Sequence, residues 1–254
     1  MQAWQVAILV FLALEGGALF GMGAQRWLKA HHLSKETQEA VKLGVGMVAA
    51  MASLILGLMT ASVKGNFDTT GKDVQQYATL LTILDATLQH YGPDAKPARE
   101  ALRAYAVHAI KETWPDPNGP PVVVGSLDSE QKLEVVGHDI RMLDPKNPEE
   151  TDLRAEALER FRSLNALRWT LISESVTEVP PVFIVVLIVW LTLIFTSFGL
   201  FSPTNLVSLS AFPLCALSLA AAIFLILEMS SPFDGVIMVG PEAFQRALEH
   251  MKLP

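Results

Sequence analysis

The sequence predicts an all-α integral membrane protein: four transmembrane helices in a two-plus-two arrangement, with an inserted helical extramembrane domain. Three observations carry this expectation. Of 254 residues, 51% are apolar and only 18% charged, whereas a soluble domain holds about a quarter charged residues. No Asp, Glu, Lys or Arg falls between Leu43 and Val63, or between Val179 and Leu227. The stretch from Lys64 to Glu178 instead carries thirteen Lys/Arg and nineteen Asp/Glu, and with them most of the formal net charge of −7.

A helix satisfies its own backbone in lipid and needs about 20 apolar residues to cross the hydrocarbon core. The first span runs from Trp4 to Ala24, flanked by Trp4 and Trp27, whose amphipathic rings favour the interface. No basic residue precedes it, and Glu15 with the bulky flank Gln25-Arg26-Trp27 makes a poor cleavage site, so it reads as a retained anchor. The second span covers Val41 to Val63. The third follows Val179-Pro180-Pro181 and ends near Leu200, where Ser202-Pro203-Thr204-Asn205 is a turn signal. The fourth runs from Leu206 to Glu228 with Pro213 inside it.

Between the two apolar pairs the pattern is helical. Phe67, Val74, Tyr77, Leu81, Leu84, Leu88 and Tyr91 step by sevens, threes and fours and draw one apolar stripe, ended by Gly92-Pro93. Further helices are expected from Pro97 to Trp114, from Ser129 to Leu143 and from Thr151 towards Glu178, with a proline-rich loop from Asp116 to Gly125. The expected division is 1–64 for a first transmembrane hairpin and 65–178 for the helical domain. A second hairpin at 179–230 and an interfacial turn with a tail helix at 231–254 complete it.

Several functions find no support in these residues. No long basic run exists, which argues against nucleic acid. His31, His32, His90, His108, His138 and His250 are scattered, none beside a second ligand at metal-binding spacing, so no metal is expected. No phosphate loop follows a strand and no nucleophile sits beside a recognisable base, so neither an enzyme nor a cofactor is expected. Cys215, the single cysteine, reads as a small hydrophobe packed between helices.

Three features remain as candidates. Glu15 is the one ionisable residue in the middle of a span; its insertion costs at least roughly 2.5–3.5 kcal/mol, so it should face protein or water, as a proton or cation site or as a hydrogen-bonded carboxyl beside Gly16-Gly17. In the second span Gly46, Ala50, Ser53, Gly57, Thr60 and Lys64 recur at threes and fours. Such a stripe of small and hydroxyl side chains marks tight helix packing or an ion pathway through Ser53, Gly57, Thr60 and Lys64. Pro232, Phe233 and Gly235 form a structural turn, with Phe233 as an interfacial anchor and Gly235 free to take positive φ.

Gly57-Leu58-Met59-Thr60 leading to Phe67-Asp68, the series Arg99-x-x-Leu102-x-x-Tyr105, and Ser231-Pro232-Phe233-Asp234-Gly235 followed by Pro241-Glu242-Ala243-Phe244 resemble the bacterial bestrophin-like domain family of unknown function. The resemblance spans nearly the whole chain. It implies a distant relation to bestrophins, pentameric anion channels whose second helix lines the pore and whose middle domain is cytoplasmic. This sequence departs from them in having no Phe, Tyr or Trp between Gly44 and Val63. Its charges also point the other way: Arg26, Lys29, Lys35 and Lys42 place the first loop in the cytoplasm and the central domain in the periplasm.

The expectation is therefore a multi-pass homo-oligomer of the bacterial inner membrane, partnered by the lipid bilayer and passing an inorganic ion, an anion, along its second span. A non-conducting scaffold or sensor is the alternative, its helical domain binding a partner or ligand through the Phe67–Tyr91 stripe. A proton-coupled transporter using Glu15 is the third class.

Overall fold

The computed structural model of the chain describes residues 2–28, 34–115, 121–175, 179–203 and 205–251. Among these, every regular element is a helix: α1 (Ala3–Ala24), α2 (Lys35–Tyr91), α3 (Lys96–Thr113), α4 (Leu127–Met142), α5 (Pro148–Ser175), α6 (Pro181–Phe201), α7 (Leu206–Met229) and α8 (Glu242–His250), with one 3-10 turn at Pro93–Ala95. Four of them, α1, α2, α6 and α7, are long and apolar enough to cross a membrane. Lys29, His31, His32, Asp116, Glu178 and Thr204 lie outside the described residues. Two compact units emerge, residues 1–65 with 178–230, and residues 66–177 with 231–254.

The first unit contains α1, α6, α7 and the N-terminal part of α2. Each helix is apolar around most of its circumference, so packing is set by residue size rather than by a hydrophobic face. Val10, Leu14 and Ala18 of α1 meet Leu187, Leu191, Ile194 and Phe195 of α6 and Ala216, Ala220 and Ile223 of α7 in one buried cluster. Glycines permit the closest approach: a Cβ on Gly21 would overlap the Thr196 carbonyl oxygen, and one on Gly199 would overlap that of Ala18. Gln25 locks this contact, its Nε2 donating to the carbonyls of Leu200 at 2.6 Å and Ser202 at 2.9 Å, which are orphan acceptors at the end of α6. Pro181 opens α6 at a position where a missing N–H is harmless, and the Asn205 side chain caps α7 by accepting from Ser208 N at 2.8 Å.

What the four apolar helices leave outward is also apolar. Leu12, Phe20, Leu43, Leu54, Val182 and Leu206 are all exposed within the chain, a surface that water would not tolerate and lipid or another subunit would cover. Cys215 belongs to this surface, rather than packing between helices as the sequence reading expected. Its apolar neighbours in sequence match lipid as well as they match a core, so burial could not be read from them.

The second unit is a helical bundle formed by the rest of α2 with α3, α4, α5 and α8. Most of the Phe67–Tyr91 stripe is consumed in its core: Val74, Tyr77, Leu81, Leu84, Leu88 and Tyr91 are buried against Leu102 and Ala106 of α3, Leu133, Val136 and Ile140 of α4, and Leu164 of α5. From Val74 onward it is therefore not free to bind a partner. Asp85 and Arg99 tie α2 to α3 by two parallel hydrogen bonds of 2.9 and 3.0 Å. Asn147 caps α5, accepting from Glu150 N at 2.8 Å while Glu150 accepts in return from the Asn147 amide at 2.9 Å.

One difference from the sequence reading is the second span. The sequence reading ends the second span at Val63 and assigns the stripe from Phe67 to the helical domain, whereas α2 runs unbroken through Lys35–Tyr91. The segment Lys64 to Thr70 holds one glycine and no proline. A change from apolar to polar composition changes what the helix faces without interrupting its backbone hydrogen bonds.

Candidate functional site

Helix α2 presents three faces over its apolar stretch. Val45, Val48, Ala49, Ala52, Ile55, Leu56 and Met59 join the core of the first unit. Leu43, Met47, Met51, Leu54 and Leu58 form a bulky exposed strip. Between these lies the small and hydroxyl stripe: Gly46, Ala50, Ser53, Gly57, Thr60 and Lys64 are all exposed within the chain. Nothing stands within 4 Å of where a Cβ would sit on Gly46 or Gly57. Within one chain, then, the stripe is not a packing seam; that role falls to Gly17, Gly21 and Gly199. Periodicity identified the face but carried no information about which neighbour covers it.

The chemistry of the stripe is modest. Thr60 Oγ1 donates to Leu56 O at 2.7 Å, spending its proton inside the helix and turning lone pairs outward. Gly57 leaves a notch one turn before Thr60, and Lys64 brings a positive charge one turn beyond it. Alongside, α2 is loosely seated on α6: Val41, Gly44, Val45 and Val48 face Leu193, Ile194, Ser197 and Leu200 across an open apolar gap of about 470 Å³.

Glu15 is half-buried on α1, and its Oε1 is buried with no hydrogen-bond partner among the described residues. Of its two glycine neighbours, Gly17 packs tightly, a Cβ there coming within 2.9 Å of Thr192 O, whereas Gly16 faces open space. The carboxyl thus sits next to the α1–α6 contact without being paired by it.

The second unit holds a polar cluster that the sequence did not announce. Glu112 of α3 accepts from Ser126 Oγ at 2.6 Å and Ser129 Oγ at 2.5 Å, while the Ser126 hydroxyl also caps α4 by accepting from Ser129 N at 3.1 Å. His108 Nε2 lies 3.3 Å from Glu112 Oε2 and 3.0 Å from Asp128 Oδ2, at ion-pairing distance but without hydrogen-bond alignment. The sequence reading gives His108 no partner; the His108–Glu112 spacing of four residues on α3 is the one local signal that could have found this cluster. Behind the cluster, Tyr77 and Tyr105 share a hydroxyl–hydroxyl bond of 2.5 Å, and Arg168 of α5 is buried at 4% exposure.

Near the C-terminal end of α5 in the same unit, Glu174 Oε2 is buried without a hydrogen-bond partner among the described residues. Burial pushes the Glu174 carboxyl above its ordinary value, opposed by a hydrogen bond from Thr70 and reinforced by the nearby Asp73.

The turn after α7 belongs to this unit too. Phe233 is buried edge-on against Trp114 at 5.8 Å rather than serving as an interfacial anchor, and Phe244 of α8 stacks on Tyr77 at 5.5 Å. Pro232 O accepts from Val239 N at 2.7 Å and closes the turn; Gly235, at φ +95°, takes the left-handed conformation that a side chain would resist. Trp114 Nε1 donates to Val239 O at 2.7 Å, adding a polar tie to the apolar packing of the tail.

The family model of the Bestrophin-like domain matches residues 12–244. Among solved structures, the chain is similar to the crystal structure of a bacterial Bestrophin homolog from Klebsiella pneumoniae carrying a tryptophan-to-alanine mutation. The match has 13% identity and a TM-score of 0.68, covering 99% of this chain and 97% of that one. At that identity the likeness is one of fold. No curated protein matches the chain significantly.

Proposed function

The chain belongs to the Bestrophin-like domain family, and from that premise we propose that it is an oligomeric membrane channel passing an ion along a path lined by α2. The observation that carries this reading is the outward setting of the stripe Gly46, Ala50, Ser53, Gly57, Thr60 and Lys64. Acyl chains gain little from a face of glycine, alanine and hydroxyl side chains, whereas such a face admits water or a second backbone. Copies arranged around an axis would each contribute one stripe, with the bulky Leu43–Leu58 strip covered by the next copy or by lipid. Lys64 favours an anion at its end of the path.

The arrangement we propose is two-plus-two: α1 with the apolar part of α2, and α6 with α7, on either side of an inserted helical domain. Helical spans fit a bacterial inner membrane, since outer-membrane proteins cross as closed β-barrels. Positive charge between the apolar stretches of α1 and α2, on Arg26, Lys29, Lys35 and Lys42, favours the periplasm for the helical domain. Glu134→Cys, an exposed position on α4, labelled in intact cells by an impermeant thiol reagent would support that sidedness; labelling only after permeabilisation would reverse it.

Reconstitution tests the channel itself. Purified chain in liposomes under a halide gradient should dissipate the gradient and give a reversal potential on the anion side, from a ring-shaped oligomer. A closed dimer with no flux for any ion would overturn the reading. A scaffold or sensor is the alternative reading; Val74 to Tyr91 of its stripe are occupied in the core of the second unit, so a partner would have to meet the domain elsewhere.

A further inference from the structure

A cavity of about 40 Å³ lies inside the second unit, bounded by Tyr77, Tyr105, Trp114, Gly125, Arg168 and Phe244 among others. We propose that it binds one small monovalent anion, a halide or a short carboxylate, on the Arg168 guanidinium beside the Tyr77–Tyr105 hydroxyl pair. The site is separate from α2's outward stripe and stands whether or not that stripe conducts.

The guanidinium is the principal reason. Arginine remains charged in any protein environment, and a buried charge is costly unless something of opposite sign meets it. Arg168 is 4% exposed. Its Nη2 donates to Ser126 O at 3.3 Å, its side chain also hydrogen-bonds the Tyr105 hydroxyl, its Cζ lies 5.3 Å from the Trp169 ring centre, and its Nε has no hydrogen-bond partner. Among the described residues it forms no ion pair with a carboxylate. The carboxylate that lines the cavity, Glu112, is turned to the Ser126 and Ser129 hydroxyls and to His108. The strongest donor in the cavity therefore has capacity to spare.

The tyrosines supply a second donor. Two hydroxyls that bond to each other use one proton between them and leave the other free. Burial pushes both phenols up, so both keep their protons at physiological pH. A water needs roughly 10–15 Å³ of such space; the cavity thus fits a bromide, nitrate or formate, and the apolar walls of Trp114, Leu171 and Phe244 disfavour a strongly hydrated dianion. Gly125 is part of the construction: at φ +72° it carries no side chain, and a Cβ there would come within 3.3 Å of Arg168 Nη2 and overlap Ile172.

The test uses the full chain in detergent. Crystals grown in bromide should give an anomalous peak within hydrogen-bond reach of Arg168, and bromide titrated into gluconate buffer should raise the melting temperature with saturation. Arg168→Met should raise the half-saturating concentration at least about tenfold, as expected for losing a charge-assisted hydrogen bond. Arg168→Lys, which keeps the charge but not the planar fork, serves where Arg168→Met does not fold and should also weaken binding. Ordered water without anomalous signal at Arg168, or half-saturation unchanged in both variants, would overturn the proposal.

Discussion

Breaking the Asp85–Arg99 pair from either side should give unequal losses, and the inequality follows from burial. Asp85 keeps 8% of its side-chain exposure and Arg99 keeps 24%. Arg99→Met leaves a carboxylate inside the bundle with no partner, the situation that costs about 3–5 kcal/mol for buried pairs. The lower end applies here, since the pair reaches solvent on the arginine side. Asp85→Asn leaves a guanidinium that can hydrate and still donate to the amide oxygen, a loss of about 1–1.5 kcal/mol. At about 2–4 °C per kcal/mol for a chain of this size, Arg99→Met should lower the melting temperature of the full chain in detergent by about 6–12 °C, and Asp85→Asn by about 2–6 °C. The double variant should cost less than the sum, because the two residues share one interaction. Circular dichroism on heating reads all three. Equal losses, or Asp85→Asn the worse, would refute the reasoning.

Other positions give independent checks. Gly125→Ala should destabilise by about 1–3 kcal/mol through its positive φ and the overlap with Ile172, whereas Gly71→Ala, whose Cβ would meet only Val239 at 3.9 Å, should be neutral or better by melting temperature. Gly199→Ala should weaken the α1–α6 contact and lower the melting temperature, with Gly23→Ala, which faces open space, as the silent control. Trp114→Phe removes the bond to Val239 O and should cost about 1 kcal/mol, seen as earlier proteolysis of the tail. Glu174 has its carboxyl raised in the folded state, so the fold disfavours the ionised form. Stability should fall as pH rises from the ordinary glutamate value through the raised one, and Glu174→Gln should flatten that fall in a pH series of melts.

Composition and punctuation made much of the fold legible. The four apolar helices announce themselves by the scarcity of charge, and Pro97, Gly92-Pro93, Pro181 and Asn205 fix helix ends because each changes what the backbone can do locally. The unbroken α2 was not legible, since a change of solvent leaves no backbone signal at Lys64–Thr70. The resemblance to the bestrophin-like family rested on short motifs such as Ser231-Pro232-Phe233-Asp234-Gly235, and the family match over residues 12–244 bears it out. The candidate sites divide along the same line. The stripe on α2 is local and could be drawn from spacing alone, but its outward setting depends on where α6 and α7 lie. Glu112, Ser129 and Arg168 come from three helices, and Trp114 meets Phe233 and Phe244 across more than a hundred residues of sequence. No window along the chain contains these groupings; only packing does.

The central claim is that the outward stripe of α2 lines an ion path. In a Cys215→Ala background, single cysteines at Ser53 and Thr60 on the stripe, and at Leu54 and Leu58 on the bulky strip, can be exposed to a charged thiol reagent while halide flux from liposomes is followed. The account predicts that modification of Ser53→Cys and Thr60→Cys blocks the flux and that Leu54→Cys and Leu58→Cys leave it unchanged. Equal block on both faces, or flux untouched by modification of the stripe, would contradict it.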